Sequence, residues 1–250
     1  MLTDWFKGLT LALFAGFAPM ADNSTSTLPV NVGVVLFPGF QALDVFGPLD
    51  ALNILSRSYP LNLSLISSLP TLDPVSTQPP ASVNAIVGPP AAVSNFSQSL
   101  VPTHTIDAPP ASLDVLLVPG GLGTRAPGLE PLIDYIGRTA KETKYVLTVC
   151  TGSWLAARAG ALDGKNATSN KRAWAGREGL GNNVNWIKHA RWVQDGDTWT
   201  SSGVSAGIDM VLAWMESVFG KGVTEDIANG MEYERHTDPN WDPFAELYGP

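Results

Sequence analysis

The stretch Tyr145-Val146-Leu147-Thr148-Val149-Cys150-Thr151-Gly152-Ser153 decides how the chain is read. Its first five residues are apolar or β-branched with no helical period, which predicts a strand covered on both faces, as in a parallel sheet. The run enters Cys150 without a linker, and helical spacing resumes over residues 152–161. Gly152, two positions past the cysteine, permits close backbone approach, so the turn has the form of a nucleophile elbow. Such a turn sets the sulfur at a helix N-terminus, where unpaired N–H groups favour the nucleophilic thiolate.

Working outward, residues 32–36 form a second short apolar run, stopped by Pro38-Gly39, and residues 114–119 a third, ending in Gly120-Gly121. Between them Leu43, Phe46, Leu49, Leu52 and Leu55 recur at helical spacing, with a kink or restart expected at Pro48. Residues 62–67 alternate as a strand, 70–110 are rich in Pro, Ser, Ala and Val and read as hairpins and loops, and 129–139 read as a helix. Beyond the elbow, residues 190–193 and 198–201 predict a hairpin across Asp195-Gly196, followed by helices over 204–219 and 223–233 and a Pro-rich end. Alternation of this kind predicts an α/β fold: a doubly wound, mostly parallel sheet sandwiched by helices, with ligands at the carboxyl ends of the strands. The expected division is a signal-like or flexible segment at 1–28, one α/β domain at 29–236 and a tail at 237–250.

Composition narrows the function. The 250 residues carry a formal charge of -8 with only 15 Lys and Arg, which argues against nucleic acid. One cysteine excludes an internal disulfide framework, and the spacing of a zinc site is missing, so Cys150 is either an inert buried thiol or a working one. Lys7 followed by the apolar run 9–18 has the outline of a secretory signal. That run is shorter than the ~20 residues of a membrane span, so no stable span is expected, and the compartment stays open between cytoplasm and secretion.

A thiolate attacking an unsaturated carbon needs donors for the charge that develops on its substrate. The Thr151 N–H and the N–H of Gly121, at the end of the neighbouring strand, are the candidates. With the elbow in hand, three further motifs stand in order: residues 36–48 (LFPGFQALDVFGP), 114–121 (DVLLVPGG) and 159–168 (AGALDGKNAT). Together they resemble the ThiJ/PfpI superfamily, of class I glutamine amidotransferase-like fold, and within it the isocyanide hydratase-like branch, over residues 30–235.

The resemblance implies a flavodoxin-like sandwich, a homodimer, a Cys150 nucleophile, and an acid near the sulfur that falls on Asp44. It implies a lyase needing no metal or organic cofactor: Cys150 attacks the terminal isocyanide carbon, Asp44 carries the proton, and water opens the thioimidate to an N-formamide. Gly120, Gln41, Trp154 and Asn170 are the residues expected to bind the small-molecule substrate. Protease-like and amidotransferase relatives pair the cysteine with a histidine, yet the loop after Thr168 reads Ser169-Asn170-Lys171-Arg172, and only His104, His189 and His236 exist. Lys171, Arg172 and Trp174 either line the pocket mouth or form a solvated turn beside a core aromatic. Two other readings stay open: a glyoxalase or deglycase acting on reactive carbonyls, and a non-enzymatic redox or ligand sensor. Some regulators join this domain to a helix-turn-helix module; with only residues 234–250 beyond the last predicted helix, none is expected here.

Overall fold

The computed structural model describes residues 28–88, 94–177 and 179–249, so the signal-like segment lies outside the described residues but for Leu28. Strand β1 (Asn31–Leu36) leads through Pro38-Gly39 into helix α1 (Ala42–Leu55), and β2 (Asn62–Ser67) returns beside β1 in parallel register. Helix α1 runs through Pro48 without the expected restart. Proline removes one helical N–H, the one that would reach the Asp44 carbonyl, yet the helix continues with Pro48 on its buried side.

The Pro-rich stretch forms a two-stranded antiparallel pair, β3 (Val75–Ser76) with β4 (Ser99–Leu100), a short helix α2 (Asn84–Val87), and β5 (His104–Thr105), which adds to β2. Next come β6 (Val115–Val118), α3 (Glu130–Glu142), β7 (Tyr145–Thr148) and α4 (Gly152–Arg158). A small parallel pair, β8 (Asn166–Ala167) and β9 (Asn185–Trp186), precedes the hairpin β10 (Trp192–Asp195) and β11 (Thr198–Ser201). The chain closes with α5 (Ala206–Phe219), α6 (Lys221–Gly230) and α7 (Pro243–Tyr248).

The main sheet has the order β10-β11-β7-β6-β1-β2-β5, parallel throughout except at β10/β11. Central strands β1 and β6 are almost wholly buried, as continuous apolar runs require of strands covered on both faces. Leu116, Leu117, Leu147, Leu155 and Trp214 fill the layers, each contributing about 1.5–3 kcal/mol through burial. This is the flavodoxin-like α/β sandwich. Helix α7 was not legible in the tail; its start is capped by Asp242, whose side chain accepts from the Phe244 N–H. Among the described residues no helix is long and apolar enough to cross a membrane.

Candidate active site

Cys150 lies just past β7 and takes φ 59°, a left-handed conformation that costs a non-glycine residue about 1–3 kcal/mol. The surroundings hold it there. Its N–H donates to the carbonyls of Ser201 at 3.2 Å and Ser202 at 3.1 Å. Its carbonyl accepts from Ser153 Oγ at 3.0 Å and Ser169 Oγ at 3.1 Å. Gly152 is required as expected, because a Cβ there would collide with the Val118 carbonyl. Helix α4 then ends at Arg158, short of the expected residue 161, in turns closed by Gly160 at φ 74°.

The sulfur is nearly enclosed, with Cys150 5% exposed. Asn170 donates from Nδ2 to Sγ at 3.2 Å, while its Oδ1 accepts the Ala173 N–H at 3.0 Å, which fixes which end of the amide meets the thiol. The backbone N–H groups of Val204 and Thr151 also reach Sγ. Val204 supplies its N–H from φ 44°, a conformation rarely taken by a β-branched residue. Nothing in the sequence pattern marked it, because it approaches from the loop after β11.

Asp44, in the first turn of α1, has no solvent exposure. Its Oδ2 accepts the Gly120 N–H at 2.8 Å, and the carboxyl also meets the Cys150 thiol. Burial pushes the Asp44 carboxyl up to about 7, against the opposing pull of the Gly120 N–H and the thiol. Burial, and then the nearby Asp44 charge, push the Cys150 thiol up to about 12 despite its three donors. This corrects the expectation that the helix N-terminus favours a standing thiolate: α4 has only seven residues, and desolvation outweighs its partial charge. Both shifts favour the neutral forms, a thiol with a carboxyl beside it, and the two titrate as a pair.

The glycines of the β6 turn take different roles from those expected. A Cβ on Gly120 would stand 2.5 Å from the Thr151 nitrogen and 3.0 Å from Asp44 Oδ2, so a bare backbone is what lets β6 approach the pair. The Gly121 N–H donates to Thr151 Oγ1 at 3.0 Å, and Thr124 Oγ1 braces the same hydroxyl at 3.2 Å. Gly121 is therefore not an idle second donor in this state; it anchors Thr151. Gln41 donates its N–H to the Gly120 carbonyl at 2.8 Å and leaves its side chain exposed. Trp154, in the first turn of α4, lines a cavity of about 540 Å³ beside the elbow.

Lys171 is not in a solvated turn. It is 3% exposed and donates from Nζ to Thr168 Oγ1 at 2.7 Å, Ser169 O at 3.1 Å and Ala190 O at 3.0 Å, and it pairs with Asp242 at 3.1 Å. Trp174 is a core aromatic edge-on to Trp186, as the blander alternative had it, and Arg172 lines the cavity. No histidine interacts with Cys150: His104 belongs to β5, His189 is exposed and His236 stacks on Trp241. Among the described residues no group of three or more His, Cys, Asp or Glu side chains could hold a metal ion.

The sequence profile described as "DJ-1/PfpI family" matches residues 30–217. The chain belongs to the DJ-1/PfpI family. Among DJ-1/PfpI relatives, isonitrile hydratase of Pseudomonas putida is 32% identical over 208 residues, which cover 82% of this chain and 79% of that protein. The HTH-type transcriptional regulator GbdR of Pseudomonas aeruginosa is 29% identical over 136 residues, or 54% of this chain and 36% of the regulator. A ThiJ/PfpI family protein from Pseudomonas syringae superposes with a TM-score of 0.64 at 24% identity, covering 96% of this chain and 90% of that one. Drosophila melanogaster DJ-1beta superposes with a TM-score of 0.63 at 18% identity, covering 82% and 98%. At those identities the two superpositions establish the fold. The DJ-1/PfpI family thus joins hydratase, regulator and DJ-1 proteins on one scaffold, and residues of the site must carry any finer assignment.

Proposed function

We propose that this chain is a cofactor-independent hydratase that converts an isocyanide to an N-formamide through Cys150. The observation that carries this reading is the buried Asp44–Cys150 pair, a thiol whose neighbouring base is a carboxyl with a pKa near neutrality. A base poised near the working pH is effective in both directions of proton transfer. An isocyanide needs both and offers no amine leaving group to protonate, so a histidine partner is not called for.

In the first step Asp44 takes the thiol proton as Sγ bonds to the terminal carbon, and the proton passes to that carbon, giving the thioimidate R–N=CH–S–Cys150. Water then adds to the same carbon through its oxygen. The C–S bond breaks, one water proton goes to nitrogen and the other returns to sulfur by way of Asp44, leaving R–NH–CHO and the free thiol. The Asn170 amide and the N–H groups of Thr151 and Val204 steady the sulfur as it gains and loses charge.

The test is formamide production from a panel of isocyanides beside methylglyoxal consumption, with wild type, Cys150→Ala and Asp44→Asn in parallel. Isocyanide turnover lost in Cys150→Ala and lowered at least about 100-fold in Asp44→Asn supports the hydratase. Turnover of methylglyoxal alone moves the chain to the carbonyl-processing alternative. No turnover of either, with Cys150 still oxidised by peroxide, leaves a redox sensor.

A further inference from the structure

The cavity beside the elbow is cationic in a chain whose net charge is -8. Arg125, Arg158 and Arg172 all line it, and no acidic residue does among those described. Arg125 lies over the Trp154 ring, 4.8 Å from its centroid, and among the described residues neither Arg125 nor Arg172 has a carboxylate partner. Arg158 has one at 3.5 Å, Glu130, in a pair open to solvent that is worth little. Three like charges around one hollow repel one another, and the arrangement gains when an anion enters.

The cavity also adjoins the nucleophile. Thr124 in its wall hydrogen-bonds Thr151 Oγ1 at 3.2 Å. Ala173, in the same wall, hydrogen-bonds the Asn170 amide that touches Sγ. Arg125 is close enough to feel the charge of the sulfur. The cavity wall thus stands two hydrogen bonds from the sulfur, through Ala173 and Asn170.

We infer that Arg125 and Arg172 form a carboxylate subsite, so that the substrate is a small anionic electrophile with its reactive carbon and its carboxylate at opposite ends. A guanidinium fork matches a carboxylate in two parallel hydrogen bonds, and the Trp154 face under Arg125 holds that fork in plane. For the hydratase reading, on which this inference rests, the substrate class becomes isocyanides of carboxylic acids.

Two measurements on the full chain separate the subsite from the reaction. The first is alkylation of Cys150 by iodoacetate against iodoacetamide, in which Sγ bonds to carbon as iodide leaves, with each rate normalised to a free thiol. The expected iodoacetate preference is about tenfold over the free thiol, equivalent to about 1.4 kcal/mol, and it falls to near onefold in the Arg125→Gln/Arg172→Gln double variant. Arg125→Lys/Arg172→Lys keeps part of it. A wild-type ratio at or below that of the free thiol overturns the subsite, as does a ratio unchanged in the double Gln variant. Failure of both reagents on folded protein that alkylates normally when denatured also overturns it, because the cavity then does not lead to the sulfur.

The second is kcat/KM for isocyanoacetate against its neutral methyl ester. Preference for the acid that is lost in the double Gln variant supports the subsite, and equal turnover of acid and ester in wild type overturns it. Iodoacetate preference with no turnover of either isocyanide retires the hydratase reading while upholding the anionic ligand.

Discussion

Asp44 is without solvent exposure, and its carboxyl moves from 3.8 in the unfolded chain to about 7 in the fold. Between those values the folded state keeps a proton that the unfolded chain has released. The group is therefore neutral to stability below about pH 4 and costs more as pH rises through about 7, by a few kcal/mol. Asp44→Asn keeps an acceptor for the Gly120 N–H and removes the buried charge, so its expected gain is about 2 kcal/mol at pH 8 and little at pH 4, measured by denaturant unfolding at both. The sign for catalysis is opposite. Asp44 must be a carboxylate to take the thiol proton, so kcat/KM rises with pH through about 7 in wild type, and that limb disappears in Asp44→Asn. Gly120→Ala tests the close approach of β6, since its Cβ would meet the Thr151 nitrogen at 2.5 Å. The expected outcome is a folded protein whose Cys150 alkylation and turnover fall about 100-fold, because a displacement near 1 Å misaligns the pair.

At the scale of elements, β1, β6 and β7 and the elbow were legible because a strand buried on both faces leaves a run of apolar residues in the sequence, and the glycines mark where backbones must meet. Asp44 came from motif likeness alone; its position in the first turn of a helix would equally suit a cap. Asn170 was expected at the substrate, and the structure sets its side-chain amide on the sulfur; Val204 had no mark in the sequence at all. Both reach the sulfur from loops that follow other strands, and the Val204 backbone N–H leaves no trace in residue type. In the tail, α7 leaves no mark in the sequence because it is short, and a buried ion pair has no period. Lys171 and Asp242 each retain 1% side-chain exposure at 3.1 Å, across a loop and a helix start far apart in sequence. Removing one partner strands the other, so Asp242→Ala is expected to lose about 3–5 kcal/mol, seen as a lowered thermal midpoint. Lys171→Met/Asp242→Leu is expected to recover most of that loss, because an apolar pair leaves no buried charge unpaired.

For the whole molecule, the resemblance to the family implies a homodimer, and α1 offers a surface for it. Leu43 at 39%, Phe46 at 44% and Leu63 at 47% exposure border a hollow of about 740 Å³ on the outer side of the helix that carries Asp44. Sedimentation is expected to give twice the 26.5 kDa chain mass, and Phe46→Glu to shift the population to single chains. A substitution there would also be felt at the thiol, since α1 is shared by surface and site. The Lys171–Asp242 contact reaches into a different stage of the protein's life. The loop presenting Asn170 to the sulfur is tied down by a residue made on the order of 5–20 s of translation after Cys150. Until then the loop has its bonds to Cys150, Ser153 and Ala173 but lacks the partner of its buried Lys171 charge. A chain cut before Asp242 is therefore expected to hold its Asn170 loop less firmly against the sulfur, read as a changed rate of Cys150 alkylation.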